Sequence, residues 1–143
     1  MKTFISLLVV AIVSFGCSND DDNTNPDPDN CDFESVISAE QYADAPAHAL
    51  TINAMAIEGD CLTIDFSSSG CDGSTWVVKL IDSESVFESA PPQRNVRLSL
   101  ENTELCLAIV PKELSFDISD LQVEGGSVLL NITNSGESIL YEY

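Results

Sequence analysis

The sequence predicts an all-β domain over residues 31–143, an antiparallel, immunoglobulin-like β-sandwich of about seven strands. Segments with strand-like alternation recur about every 10–15 residues, and turn residues separate them. No long segment repeats its apolar residues with the helical period. A small Greek-key barrel is the alternative, because the order of strands in a sheet cannot be read from one sequence.

The first predicted strands have the two-residue periodicity of apolar side chains that is typical of a β-strand. Residues 49–57 and 61–66 each place apolar side chains at every second position, with a turn at 58–60 between them. The residues expected to face the core are Leu50, Ile52, Ala54 and Ala56 in the first segment and Leu62, Ile64 and Phe66 in the second. Residues 75–81 form the next predicted strand, because they are aromatic and β-branched.

The remaining strands lie between further turn residues. Residues 95–100 alternate after the Pro91-Pro92 pair, and 128–132 and 138–143 are bounded by glycine-containing turns. Residues 105–110 and 113–118 are two more predicted strands. Pro111 lies between them and has no N–H, so it is expected to interrupt the ladder and shift the pairing. Only residues 33–42 are expected to form a short helix.

The composition limits the classes of function. The chain has 143 residues, with 24 acidic and 5 basic side chains and a formal net charge of −19. Such a surface repels phosphate backbones, so no nucleic-acid partner is expected. A hydrophobic content of 44% is enough to bury the core of a single domain.

Residues 1–16 have the pattern of a signal peptide. Lys2 precedes an apolar run from Phe4 to Val13, which is too short to span a bilayer, and Ser14-Phe15-Gly16-Cys17 follows. A small residue directly before a cysteine at this point resembles the lipobox of bacterial lipoproteins. The resemblance implies cleavage before Cys17 and acylation of Cys17, so that the membrane is a partner through the N-terminal acyl chains.

Residues 17–30 read as the lipidated cysteine followed by a flexible acidic linker. The segment contains five aspartates and two prolines, and its composition cannot build a core. A short acidic run directly after the lipidated cysteine resembles the export signal of surface lipoproteins in Bacteroidota. That resemblance implies an outer-membrane lipoprotein at the cell surface, and the periplasmic face of the membrane is the alternative.

Four cysteines remain for the domain, and an exported protein meets an oxidising compartment, so two disulfides are expected. We favour Cys31–Cys61, which would attach the start of the domain to a strand, and Cys71–Cys106. The second bridge would contribute about 3–4 kcal/mol in the chain-entropy treatment. The alternative is Cys31–Cys71 with Cys61–Cys106, which the spacing alone does not exclude.

Four short segments of the sequence occur in the same order in a group of other proteins. They are 69–73 (Ser-Gly-Cys-Asp-Gly), 87–93 (Phe-Glu-Ser-Ala-Pro-Pro-Gln), 104–106 (Glu-Leu-Cys) and 115–121 (Ser-Phe-Asp-Ile-Ser-Asp-Leu). Together they resemble a group of small secreted lipoproteins of Bacteroidota whose function is uncharacterised. The resemblance spans residues 59–143. It implies a disulfide between Cys71 and Cys106, and it implies no activity.

Few residues suggest catalysis or metal binding. His48 is the only histidine and has no acid–base partner close in sequence, so it is expected in a solvated loop. The chain has no Cys-x-x-Cys pair and no Gly-x-Ser-x-Gly turn. We therefore expect no catalytic residue, no metal site and no cofactor. Arg94 and Arg97 are expected to form surface ion pairs.

The sequence thus favours a non-enzymatic, lipid-anchored binding module of the cell envelope. Its candidate ligand contacts are Trp76, Pro91 and Pro92, in or beside loops that a rigid scaffold would hold. Trp76 is expected to pack near a disulfide, and an exposed carbohydrate platform is the alternative. The ligand could be a glycan, a divalent cation or an envelope protein. The alternative functions are a small envelope hydrolase using carboxylates and a purely structural envelope component.

Overall fold

Residues 30–143, which the computed structural model describes, form two β-sheets packed face to face. The predicted signal peptide, Cys17 and nearly all of the predicted linker lie outside these residues. The strands are β1 (Phe33–Glu34), β2 (Val36–Ile37), β3 (Leu50–Glu58), β4 (Cys61–Gly70), β5 (Val77–Phe87), β6 (Gln93–Glu101), β7 (Ala108–Asp117), β8 (Ser127–Ile132) and β9 (Glu137–Glu142). The helical elements are α1 (Ala39–Asp44) and a 3₁₀ turn (Ser119–Leu121). Neither is long and apolar enough to cross a bilayer.

The predicted β-sandwich is confirmed. Sheet A has the strand order β1-β7-β4-β3 and sheet B the order β2-β5-β6-β8-β9, and neither closes into a barrel within the described residues. The seven strands from β3 to β9 have six residues or more, whereas β1 and β2 have two each. The expected pairing was antiparallel throughout, but β1·β7, β2·β5 and β6·β8 are parallel, so both sheets are mixed.

The core lies between the sheets and follows the predicted alternation. On β4, Leu62, Ile64 and Phe66 are fully buried. On sheet B the same is true of alternate residues of β6 and β8, namely Val96, Leu98, Leu100, Val128, Leu130 and Ile132. Because side chains alternate between the faces of a strand, these positions meet across the sandwich and leave the intervening residues toward solvent or loops.

The second half of β3 departs from the prediction. The register of β3 against β4 shifts between Ile52 and Ala54. An extra residue in one strand reverses the faces that follow it, so Met55 and Ile57 pack against the core where Ala54 and Ala56 had been expected. The bulge thereby places the larger apolar side chains against the core and leaves the alanines exposed.

The predicted break at Pro111 is wrong. Strand β7 runs through Pro111 with an unbroken register, and Pro111 pairs with Ser67 of β4. On the edge of β7 that faces away from β4, the N–H of Ser115 and the carbonyl of Asp117 bind residues that precede α1. Backbone groups alternate in direction along a strand, so Pro111 also turns its nitrogen to that edge, where no ladder bond is lost.

The segment before β3 was expected to be helical from residue 33, but residues 33–37 form β1 and β2, and helix α1 begins only at Ala39. The hydroxyl of Ser38 accepts the N–H of Gln41 at 3.2 Å and so caps the start of the helix. At the other end, the guanidinium of Arg97 donates to the carbonyls of Gln41, Tyr42 and Ala45, at 3.2, 2.6 and 2.8 Å. These contacts satisfy carbonyls that a helix end leaves free.

The two disulfides mark opposite ends of the sandwich. Cys31 is bonded to Cys61 at the start of β4, and Cys71, just beyond the end of β4, is bonded to Cys106. Both favoured pairings are therefore confirmed. The ten residues of β4 separate the two bridges by about 30 Å. We call the end with Cys31–Cys61 the arm end, the arm being residues 31–38, and the end with Cys71–Cys106 the loop end.

Candidate functional site

The loop end consists of two connections that cross between the sheets. Residues 71–76 lead from β4 to β5, and residues 102–107 lead from β6 to β7. The disulfide between Cys71 and Cys106 joins them, with a distance of 4.8 Å between the two Cα atoms. Two loops that belong to different strand pairs are thus fixed to each other by a covalent bond.

The carboxylate of Glu104 fills the concave side of the first loop. Four backbone N–H groups and one hydroxyl donate to it: the N–H groups of Cys71, Asp72, Gly73 and Thr75, at 2.5, 3.3, 3.1 and 3.4 Å, and Oγ1 of Thr75 at 3.0 Å. Successive N–H groups that converge on one point form a nest for an anion. Here the anion is a side chain of the second loop, so the two loops hold each other through hydrogen bonds as well as the disulfide.

The cradle changes the acidity of its carboxyl groups. Partial burial would raise the pKa of Glu104, but the N–H groups of Cys71 and Gly73 and the donors of Thr75 outweigh it and lower the pKa to about 2. Hydrogen bonds from the hydroxyl and the N–H of Ser74 lower the pKa of Asp72. Both carboxylates are therefore ionised at neutral pH.

Asn102 positions Glu104. Its side-chain oxygen accepts the N–H of Glu104 at 2.8 Å, and its amide nitrogen donates to the carbonyl of Ser69 at 2.7 Å. These two bonds tie the start of the second loop to the end of β4. The backbone that precedes Cys106 is consequently held at three points, namely Asn102, Glu104 and the disulfide.

Trp76 lies beside this cradle and is half-buried. Its ring packs against the core and lies 6.2 Å from the ring of Phe66, while Nζ of Lys112 lies 5.7 Å from its centroid. A Cβ atom added to Gly70 or Gly73 would come within 2.8 or 3.2 Å of the ring, so the loop backbone covers the ring closely. These contacts agree with the expected packing near the disulfide and leave little of the ring free to act as a platform.

Three apolar side chains protrude from the same end. The exposed fractions of Leu105, Leu107 and Ile109 are 94%, 89% and 72%. We call these three residues the apolar tip. The sequence had placed residues 105–110 in a strand, but β7 begins only at Ala108, so Leu105 and Leu107 extend from a loop whose backbone is fixed by Glu104 and Cys106.

The structure does not bring the predicted contacts Trp76 and Pro91-Pro92 together. Trp76 directly precedes β5 at the loop end, whereas the two prolines follow β5 and precede β6 at the arm end. The carbonyl of Pro92 accepts the N–H of Leu129 at 2.9 Å, which joins the connection to sheet B. The two predicted contact regions are therefore separated by the eleven residues of β5.

The two arginines also differ from expectation. Arg94 forms an ion pair of 2.9 Å with Asp82, but this pair is buried between β5 and β6 rather than lying on the surface. Arg97 binds helix carbonyls instead of a carboxylate. His48 is exposed, and its backbone N–H donates to Leu100 at 3.1 Å. Within residues 30–143, no three or more His, Cys, Asp or Glu side chains are grouped as metal ligands.

Comparison with protein-family models finds no match, and comparison with curated proteins finds none. Among solved structures, the chain is similar to a protein of unknown function from Bacteroides vulgatus, with 17% identity and a TM-score of 0.52 over 78% of this chain and 56% of that one. It is also similar to a NigD-like immunity protein from Bacteroides caccae, with 15% identity and a TM-score of 0.57 over 76% of this chain and 58% of that one.

The chain spans less than two thirds of the length of either solved structure. At these identities the similarity shows a shared fold alone. Both neighbours are Bacteroides proteins, in agreement with the sequence resemblance to proteins of Bacteroidota.

Proposed function

We propose that this chain is a lipoprotein of the cell envelope, anchored through acyl chains on Cys17, and that its β-sandwich is a binding module that contacts its partner through the loop end. The membrane that carries it is the outer membrane, with the domain at the cell surface. The domain binds rather than catalyses. The periplasmic face of the same membrane is the alternative location.

The anchor is supported by the N-terminal pattern and by the chemistry of the domain. The apolar run and Cys17 resemble a lipobox, and the acidic linker that follows resembles a surface-export signal. The two disulfides agree with export, because such bonds form and persist in oxidising compartments.

The apolar tip is the observation that carries the binding function. Burial of a leucine side chain contributes about 1.5–3 kcal/mol, and Leu105 and Leu107 gain almost none of this in the isolated domain. Single exposed apolar residues are common on protein surfaces, but these two are adjacent to a disulfide on a loop with a fixed backbone. A rigid scaffold that presents apolar side chains is the arrangement that binding loops use.

One solved structure with this fold is described as a NigD-like immunity protein. A role in immunity would be a narrower form of the proposed binding function. The shared fold is compatible with it and supports it no further.

The anchor is tested by labelling growing cells with a radioactive or alkyne-bearing palmitate analogue. We expect label on the wild-type protein and on the matched control Ser18→Ala, and none on Cys17→Ser. Protease added to whole cells should digest the wild-type domain if it is displayed at the surface. Label on Cys17→Ser, or an intact leader on the purified wild-type chain, would contradict the lipoprotein assignment.

The binding surface is tested by a photo-crosslinking amino acid placed at single positions of the full chain in cells. We expect a discrete adduct when it replaces Leu107 and none when it replaces Leu140, an exposed leucine on β9. Equal adducts from both positions, or none from Leu107, would refute the loop end as the contact surface.

A screen for glycan and ester hydrolysis tests the non-enzymatic assignment. Turnover that is lost on replacement of a single acidic residue would refute that assignment.

A further inference from the structure

The arm and the apolar tip lie at opposite ends of the sandwich. Cys31 is bonded to Cys61, and the chain before it leaves from the arm end, where Asn30 and Asp32 lie near Glu58 and Glu113. The tip lies at the far end of β4, about 30 Å away. If the acyl chains are at Cys17, as the proposed function states, then the linker joins the membrane to the arm end, at the opposite end of the sandwich from the tip.

The charges around the tip restrict its partner. Asp72 on the first loop and Glu101 at the end of β6 are both exposed, and the ionised Glu104 accepts the N–H of Asp72. Lys112, whose charge acts on Asp72, lies over the ring of Trp76. Carboxylates therefore border the tip, on a chain whose formal net charge is −19.

This charge argues against two occupants. A second copy of the chain would bring like charges together at the contact, which costs free energy and slows encounter. A bilayer is disfavoured because anionic headgroups repel a carboxylate border. A protein surface with an apolar pocket can bury the leucines of the tip, and basic residues around that pocket can pair with the carboxylates beside them.

We infer that the loop end docks through Leu105 and Leu107 into an apolar pocket with a basic rim on a partner protein, at the end of the domain opposite the linker. This inference rests on the proposed function and adds the chemistry of the partner. The leucines supply apolar contact at the centre, and Asp72 and Glu101 pair with the rim. The division of an apolar centre from a charged periphery is general in protein interfaces.

Selection from a random peptide library on the full mature chain tests the chemistry. We expect enriched peptides to combine net positive charge with apolar residues and to lose affinity as salt is raised. Binding to the double variant Leu105→Asp/Leu107→Asp should be about tenfold weaker or more, and binding to the matched control Leu140→Asp should be unchanged. Since the replaced side chains are almost wholly exposed, the variant should keep the wild-type circular dichroism spectrum and both disulfides.

The outcomes separate the inference from the proposed function. Neutral or acidic peptides that depend on the tip would overturn the basic partner and leave the binding module standing. Peptides that bind the double variant as well as the wild type would overturn both.

Two further measurements test the other occupants. The acylated chain is placed in vesicles of phosphatidylethanolamine and phosphatidylglycerol, and light scattering is followed. We expect no clustering of vesicles, and clustering that the double variant abolishes would overturn the inference in favour of a membrane. We expect the detergent-solubilised chain to sediment as a monomer, and a dimer that the double variant dissociates would overturn it in favour of a second copy.

Discussion

Two carboxylates, one at each end of the sandwich, show how differently the ends are built. Asp82 lies beside the arm, is fully buried and pairs with Arg94, and burial raises its pKa despite the hydrogen bonds from Glu84 and Arg94. Glu104 lies at the surface, where loop N–H groups lower its pKa to about 2. The arm end therefore holds a charge in a dry interior, and the loop end holds one in a polar cradle.

The two carboxylates therefore have different structural roles. At the arm end the ion pair connects β5 and β6 behind the arm, and little of it is accessible to solvent. At the loop end the carboxylate satisfies the backbone of one loop so that the neighbouring loop can expose leucines. The first arrangement stabilises the sheet, and the second fixes the geometry of a surface. Variants that remove each group should therefore differ in what they damage.

The largest effect should come from Asp82→Ala. The change leaves the guanidinium of Arg94 buried without its partner, and breaking a buried pair in this way costs about 3–5 kcal/mol. Urea unfolding at neutral pH measures the loss. Glu88→Ala, at an exposed position just after β5, is the control and should change the free energy of unfolding by less than about 0.5 kcal/mol. Equal effects of the two variants would refute the importance of the buried pair.

A slightly smaller effect is expected from removal of the disulfide at the loop end. Cys71→Ala/Cys106→Ala should lower the free energy of unfolding by about 2–4 kcal/mol. It should also speed chymotryptic cleavage after Leu105 and Leu107, because the second loop loses one of its attachments. Cys31→Ala/Cys61→Ala is the matched control and should lose similar stability without faster cleavage there. Unchanged cleavage in the first variant would show that Glu104 and Asn102 hold the loop alone.

The fit of the first loop around Trp76 is tested by glycine replacements. Gly73 and Gly136 both have positive φ angles, of 70° and 75°, so alanine at either position should cost about 1–2 kcal/mol. A Cβ at Gly73 would also come within 2.7 Å of Lys112 and 3.2 Å of Trp76, whereas a Cβ at Gly136 would meet open space. Thermal unfolding should therefore show a larger loss for Gly73→Ala than for Gly136→Ala. Equal losses would mean that the ring and Lys112 move aside at no cost.

The smallest effect should be in the pH dependence of stability, since the Glu104 carboxylate lies at the surface and solvent screens it. Its folded pKa of about 2 is below the ordinary glutamate pKa of 4.5, so the unfolded chain binds more protons between these values. Its contribution to stability is present above about pH 4.5 and is lost as the pH falls toward 2. The difference in unfolding free energy between wild type and Glu104→Gln should shrink over that range. The control is the exposed Glu101→Gln, and the same shrinkage there would refute the role of the cradle.

The alternation of side chains made much of the fold predictable. Leu62, Ile64 and Phe66, and the matching residues of β6, are buried as the period of two requires. The bulge after Ile52 was not predictable in this way, because Ala54 and Met55 are both apolar and fit either register. The unbroken pairing at Pro111 depends on which edge of β7 is open, and that is a property of the sheet.

The cradle and the tip were missed for related reasons. In a chain with 24 acidic residues, nothing local distinguishes Glu104 from the others, because its donors are backbone N–H groups some thirty positions earlier. Residues 105–110 are apolar, and apolar runs predict burial. The bond of Cys106 to Cys71 and the hydrogen bonds of Glu104 and Asn102 hold the loop so that Leu105 and Leu107 lie in solvent.

Pro111 has a further consequence for the open edge of β7. The open part of the β7 edge offers backbone groups that could recruit a strand of a neighbouring copy, and repetition of that step produces fibrils. Pro111 supplies no donor in the middle of this stretch, and its ring stands in the path of an incoming strand. Pro111 therefore makes this part of β7 a poorer template for a strand of a second copy, while the pairing of β7 with β4 stays intact.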